Sequence, residues 1–207
     1  MHQNPAACLR DIMSRRRSLR ALSPDDIAPA VLDDVLEAAR SAASAFNEQP
    51  WRFIIVGRGQ AAERESLLAC VEPHNRLWAA HAPVLLAAVA KLDLTRKGGT
   101  NRHAFHDVGQ AAAHLALQAA AHGLSVHQIG GFEHEAAAAA LGVPDGFEVV
   151  TVLTLAYPGS PDGLPPDLRQ RELAPRQRRP VAEFSYSGRW GRPFPDGGAG
   201  GEAEAGE

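Results

Sequence analysis

Arg16, Ser18 and Arg20 alternate in the run RRSLR, which brings two guanidinium groups and a hydroxyl into one short stretch. A guanidinium binds phosphate through paired N–H donors and a serine adds a neutral one, so the triplet suits a phosphate monoester. The same residues also suit a solvated basic helix end, since arginine runs are ordinary surface features. The run alone leaves both readings open.

Other residue types that could do chemistry are less organised. Gly57-Arg58-Gly59-Gln60-Ala61-Ala62 has the GxGxxA spacing of a dinucleotide-binding turn, but the acid that should follow about 20 residues on is missing. Asp93 lies too far along, and Glu72 is expected on a helix. Nine histidines raise the question of a metal, and His103, His106 and Asp107 form the tightest group, followed by His114, His122, His127 and His134. There is no HExxH and no cysteine partner, so the expectation is scattered surface and interface histidines and no metal site. Cys8 and Cys70 have no CxxC spacing, which argues against a disulfide framework or a thiolate zinc site. Neither has the local signature of a catalytic nucleophile, and no GxSxG is present.

The elements that must position these residues follow from periodicity. Leu9, Ile12 and Met13 recur at helical spacing, so a first helix should deliver the basic run at its C-terminal end, where cations are favoured. Pro29 suits the first turn of a second helix with Val31, Leu32, Val35, Leu36 and Ala39 on its apolar face, ending near Ser41. A loop over 41–50 leads into a strand over 51–56, and 61–71 should be helical. The apolar run 84–90 reads as a strand or a buried helical turn, with Pro83 and the valines favouring strand. The Ala- and Leu-rich stretch 107–122 is the longest helix, stopped by Gly123. A strand over 125–129, a helix over 134–141 and a strand over 148–156 complete the pattern, while 158–180 should be an extended arm. Strands and helices alternate without a clean βαβ repeat, which indicates an α+β sheet flanked by helices.

With 207 residues, 45% of them hydrophobic, the chain can bury one substantial core. A single domain is expected over 1–195, followed by an acidic, glycine-rich, disordered tail over 196–207. The net charge of −3 offers no global basic footprint for nucleic acid. No apolar run is long enough for a membrane span, and the start lacks a signal-peptide pattern. The chain is therefore expected to be soluble and cytoplasmic, with neither nucleic acid nor membrane as a partner.

RRSLR, a helix ending in EAAR, and SAASAFNEQPWRFIIV resemble in order and spacing the N-terminal half of the nitroreductase family. Asp107-Val108-Gly109-Gln110-Ala111-Ala112, HGLSVHQIGGFE with LGVPDG, and the basic segment 176–181 are similar to its C-terminal half, so the resemblance runs over about residues 9–194. It implies a nitroreductase-like α+β fold with a central, mostly antiparallel sheet. It also implies a homodimer with FMN at the subunit interface, and NADH or NADPH as co-substrate delivering a hydride through FMN to a small acceptor in two stages.

Carried over by position, the resemblance gives Arg16, Ser18 and Arg20 to the FMN phosphate and the pyrimidine side of the ring, with Arg17 contributing its backbone. Arg176 and Arg178 would complete the phosphate site. Ala43, Ser44, Ala45 and Asn47 would come from the partner subunit and lie along the flavin, and Ile129, Gly130 and Gly131 would cover the ring edge. Glycine suits that edge because it lets backbone approach a flat cofactor, although two adjacent glycines are also ordinary turn material. Ala43 stands where the family usually has proline, and Gly130 where some members carry glutamate. A flavin-binding relative with other chemistry, such as reductive dehalogenation or flavin-ring oxidation, a non-catalytic flavin-binding protein, and a nucleic-acid module using 15–20 stay open as alternatives.

Overall fold

Proline opens helix after helix in this chain, as its fixed φ and missing N–H allow only in a first turn. The computed structural model describes residues 5–194, so the expected tail at 196–207 lies outside the described residues. Pro5 begins α1 (Pro5–Arg15) and Pro29 begins α2 (Pro29–Arg40), whose buried face is carried by Val35 and Ala39. Strand β1 (Trp51–Gly57) leads to α3 (Ala61–Cys70), and Pro73 then opens a short helix, α4 (Pro73–Ala79), that periodicity alone does not reveal. Strand β2 (Val84–Lys91), the long helix α5 (Ala104–Ala121), β3 (Ser125–Ile129), α6 (His134–Ala140) and β4 (Phe147–Ala156) follow.

The expectation of an extended arm over 158–180 is corrected in its middle, where Pro166 opens α7 (Pro166–Leu173). The prolines there start a helix as well as marking the extended chain around it. Helix α5 begins at Ala104 rather than Asp107, which puts Asp107 in its first turn.

The strands form one sheet in the order β1-β2-β4-β3, and every pairing is antiparallel. The ambiguous run at 84–90 is therefore a strand, and its unbroken apolar character has a simple cause. Leu86, Ala88 and Ala90 pack into one core layer with Val35, Val108 and Leu115, while Leu85, Ala87 and Val89 enter a second layer with Leu67, Trp78 and Val152. A strand buried on both faces has no position left for a polar residue. The antiparallel β1–β2 pair also removes the dinucleotide reading of Gly57–Ala62, because the turn there does not belong to a parallel βαβ unit.

The chain divides into two compact units, Met1–Glu172 and the residues from Leu173 onward. The first holds the sheet and both core layers. Among its described residues the second contains a turn of 3-10 helix at Val181–Glu183 and an isolated bridge between Tyr186 and Pro193. No helix among the described residues is long and apolar enough to cross a membrane.

Candidate functional site

After α1 ends at Arg15, the chain runs beside the edge strand β3, and side chains from distant parts of the fold take up its backbone groups. Ser125 Oγ donates to the Arg17 carbonyl at 3.0 Å and accepts the Leu19 N–H at 3.2 Å. His127 Nδ1 bonds the Leu19 carbonyl at 3.1 Å. Glu172 Oε1 accepts the N–H groups of Arg20 at 2.8 Å and Ala21 at 2.9 Å. Past that point the backbone meets the chain leaving β4, through Gly159 N–H to Ala21 O and Ser23 N–H to Tyr157 O, both 2.8 Å. A Cβ on Gly159 would lie 2.8 Å from the Leu22 carbonyl carbon, so that approach requires glycine.

With these backbone groups tied down, the run holds its side chains within one braced segment. Arg16 Nη1 and Ser18 Oγ meet at 3.4 Å, and Arg17 Nη2 donates to the Glu172 carbonyl at 3.0 Å. The Arg20 side chain is 24% exposed, with Nη1 3.9 Å from Glu172 Oε2 and its guanidinium carbon 5.9 Å from the Trp78 ring centroid. That separation is the outer range of a cation–π contact. Trp78 in turn lies 4.4 Å, centroid to centroid, from His127.

Burial holds the His127 imidazole down to about 4, and the Arg20 charge pushes the same way, while the Leu19 carbonyl works against both. His127 is therefore neutral near pH 7, with Nδ1–H as donor to Leu19. The expectation of surface histidines is corrected here: His127 is a mostly buried brace of the basic run, stacked on a core tryptophan. Beside it a cavity of about 170 Å³ is lined by Arg20, Leu22, Trp78 and Leu168, among others. The buried Trp78 Nε1 has no hydrogen-bond partner among the described residues.

Ile129 is buried at the end of β3, and Gly130 and Gly131 follow it with different surroundings. Gly131 accepts the Glu72 N–H at 3.0 Å, and a Cβ there would come within 2.6 Å of Glu72 Cδ and 2.9 Å of Asn75 Nδ2. At Gly130 an added Cβ meets nothing within 4 Å. One glycine is needed by the fold, whereas the other faces open space.

The loop carrying Ala43, Ser44, Ala45 and Asn47 is held by carboxylates. Asp107, on α5 and 2% exposed, accepts the Ala45 N–H at 3.0 Å and meets His106 Nδ1 at 3.0 Å. Glu48 accepts the Thr95 N–H at 2.6 Å and lies 3.6 Å from Lys91, and the Thr95 bonds hold its carboxyl below the usual range. Ser44 Oγ accepts the Gln49 N–H at 3.0 Å. Between these anchors Phe46, Asn47 and Gln49 all have left-handed backbone, with φ of 55°, 55° and 48°.

Arg176 and Arg178 lie in the second unit, where Arg178 Nη1 donates to the Gln177 carbonyl at 2.7 Å. Among the described residues no group of three or more histidine, cysteine or acidic side chains is placed to hold a metal. Several histidines instead tie elements together, as His122 and Gln118 do by sharing Asp34 of α2. Burial pushes the Cys70 thiol up, away from nucleophilic reactivity.

Sequence reasoning passes over Ser125, Glu172 and Trp78. Asp107 does leave a signal, an acid on the same helical face as Ala104, Val108 and Ala111. Nothing local marks Glu172, whose partners are about 150 residues away along the chain.

The profile described as the Nitroreductase family matches residues 13–73 and 64–157 of the chain. A Thermus thermophilus protein named NADH dehydrogenase is 30% identical over 182 residues, covering 73% of this chain and 86% of that protein. A solved structure described as an oxidoreductase containing FMN superposes with a TM-score of 0.82 at 28% identity, over 93% of this chain and 94% of that one. A nitroreductase family protein from Clostridium novyi shares the fold with a TM-score of 0.65 at 21% identity, over 90% and 96% of the two chains.

Proposed function

The chain belongs to the nitroreductase family of oxidoreductases, and from that premise we propose that it is an FMN-dependent enzyme, taking a hydride from NADH or NADPH and delivering it to a small aromatic or conjugated acceptor. The observation that carries this reading is the fixed presentation of Arg16, Ser18 and Arg20. Ser125, His127 and Glu172 occupy the neighbouring backbone groups, so a phosphate meets donors already in place. A solvated helix end has no use for three separate braces.

The residues present suit FMN. Two guanidiniums and a hydroxyl match a phosphate monoester, and Gly130 has open space where a Cβ would otherwise stand in the way of a flat ring. In this reading Arg16, Ser18 and the Arg17 backbone hold the phosphate side, while Ile129, Gly130 and Gly131 cover the ring edge. Arg20 sets a positive charge toward the pyrimidine side. When bound, FMN supplies the two-electron redox chemistry that moves the hydride, and the protein supplies orientation and charge.

A homodimer belongs to the same proposal, with Ala43, Ser44, Ala45 and Asn47 of one subunit reaching the cofactor of the other. The loop's left-handed residues and the exposed Phe46, 67% accessible, support a surface shaped for a partner.

The visible absorption spectrum of the purified protein, before and after anaerobic NADH and NADPH, tests cofactor and reaction together. A yellow protein that bleaches with either nucleotide is the expected result. Arg20→Ala should lower FMN retention and slow reduction by about tenfold or more, since it removes a charge-assisted contact. Normal occupancy with unchanged stopped-flow reduction would sink the assignment of Arg20.

A further inference from the structure

A second basic site lies on the other side of α4. While Leu77 and Trp78 line the cavity beside Arg20, Arg76 and Ala80 line a groove of about 600 Å³ that also receives Arg58, Ala61, Arg64, Glu65, Leu68 and Ala69. Its floor is apolar, through Leu68 and three alanines, and three guanidiniums stand around it.

Two of those arginines are fixed by neutral acceptors. Arg64 Nη2 donates to the carbonyls of Ala80 and Ala82 at 2.9 and 2.6 Å. Arg76 Nη2 donates to Ala69 O at 2.8 Å and Val71 O at 2.9 Å. These bonds orient the forks without supplying a counter-charge. Arg58 has Asp26 at 3.3 Å, but that carboxylate is 89% exposed and strongly hydrated. Glu65 is the one acid in the lining.

Arg64 carries the clearest mark of an unfilled role. Its Nη1 is buried and has no hydrogen-bond partner among the described residues, and burial and the neighbouring Arg58 charge both work against its protonated state. Burying an unpaired charged donor beside a like charge is unfavourable unless something negative completes the arrangement. The groove also reaches Ala61 at the start of α3, where Gln60 makes no side-chain cap and instead takes the Gly57 N–H at 2.7 Å. A helix start of this kind adds to the positive field that three arginines already set.

We propose that this groove binds a small phosphate ester, its phosphate held by Arg58, Arg64 and Arg76 and its apolar or aromatic body laid on Leu68, Ala69 and Ala80. A phosphate offers enough oxygens to accept from several forks at once, which a two-oxygen carboxylate does not. The glycine-containing turn 57–60 thereby gains a role as the segment that delivers Arg58 to the rim. The site is separate from the RRSLR run, and its existence does not depend on what that run binds.

Calorimetric titration of the full-length protein with phenyl phosphate, as apoprotein and after loading with FMN and removal of the unbound flavin, tests the proposal. Saturable binding that FMN leaves unchanged is expected, tighter than for inorganic phosphate, which lacks the apolar body. Arg64→Met and Arg58→Ser should each weaken it by about tenfold or more, as loss of a charge-assisted contact does. Arg58 sits on an exposed turn, so its variant tests the groove even if Arg64→Met disturbs the end of α4. Absence of saturable binding, loss of binding in the FMN-loaded protein freed of unbound flavin, or affinity indifferent to Arg58→Ser overturns the site.

Discussion

The basic run 16–21 and the loop 43–49 are both candidates for cofactor contact, yet they are held in opposite ways. In the run, outside side chains satisfy an unstrained backbone: Ser125 and His127 from the edge strand, and Glu172 from α7. In the loop, Asp107 and Glu48 grip each end while Phe46, Asn47 and Gln49 adopt left-handed backbone. Such conformations cost about 1–3 kcal/mol for a residue like phenylalanine and persist only where the surroundings over-determine them. The run is thus braced from several distant parts of the chain, whereas the loop holds left-handed residues around a mostly exposed Phe46. That contrast is what a site assembled from two subunits would require.

The largest effect should come from removing the brace of the run. Glu172 is 8% exposed and serves two backbone N–H groups and the Arg20 guanidinium. Glu172→Ala should cost about 3–4 kcal/mol in urea unfolding, because it strands buried donors beside a cation. Glu172→Gln keeps an acceptor oxygen and should recover most of the loss. Equal destabilisation by the two would mean that the charge, and not the backbone bonds, is what matters.

Asp107→Ala should come next, at about 2 kcal/mol, since one half-buried N–H loses a charged acceptor. Its diagnostic signature is elsewhere. Freed from its anchor, the loop should relax, and dimer affinity measured by analytical ultracentrifugation should fall with FMN retention. Unchanged dimerisation in a stably folded Asp107→Ala protein would break the contrast drawn between the two regions.

The His127 brace gives the run a pH dependence of its own. Its folded value of about 4 lies below the ordinary 6.5, so between those values the unfolded chain binds more protons than the folded one. Its contribution is fully present above pH 6.5 and is lost as pH falls toward 4. The loss should reach about 2 kcal/mol, less than the shift alone would give, because the ring keeps some contact with water. The charges of Arg16, Arg20 and Glu172 all act on this imidazole. His127→Asn should flatten the stability profile over that window, as followed by urea midpoints at pH 7 and 4.5. A profile identical to the parent's would show that His127 bears no such load.

How much of this was legible before folding depended on distance along the chain. Helices α2 and α5 and strand β1 carry their own signals, in Pro29, Gly123 and the run WRFIIV, and they form close to where periodicity puts them. Helix α4 has too few residues to show a period, and α7 is mostly polar, with Leu168 its only buried apolar side chain, so neither stands out. The residues of the run were recognisable as candidates because arginine and serine at that spacing suit a phosphate. Their supports were not, since Ser125 and Glu172 act on positions more than 100 residues away and become meaningful only once the sheet has closed that distance.

The smallest expected effect separates the two adjacent glycines. Gly131 is constrained by Glu72 and Asn75, so any substitution there mixes a folding cost with a binding cost. Gly130 has no neighbour within 4 Å of where a Cβ would sit, and its φ is not in the left-handed region. Gly130→Ala should therefore change unfolding free energy by less than about 0.5 kcal/mol, the usual range for an exposed position. If Gly130 lies against the ring edge, the added methyl should still weaken FMN binding by about tenfold, measured by flavin fluorescence on titration with apoprotein. Loss of affinity without loss of stability is an outcome that turn geometry alone does not produce. Unchanged affinity in the same variant would remove Gly130 from the flavin site and leave Ile129 and Gly131 to define that edge.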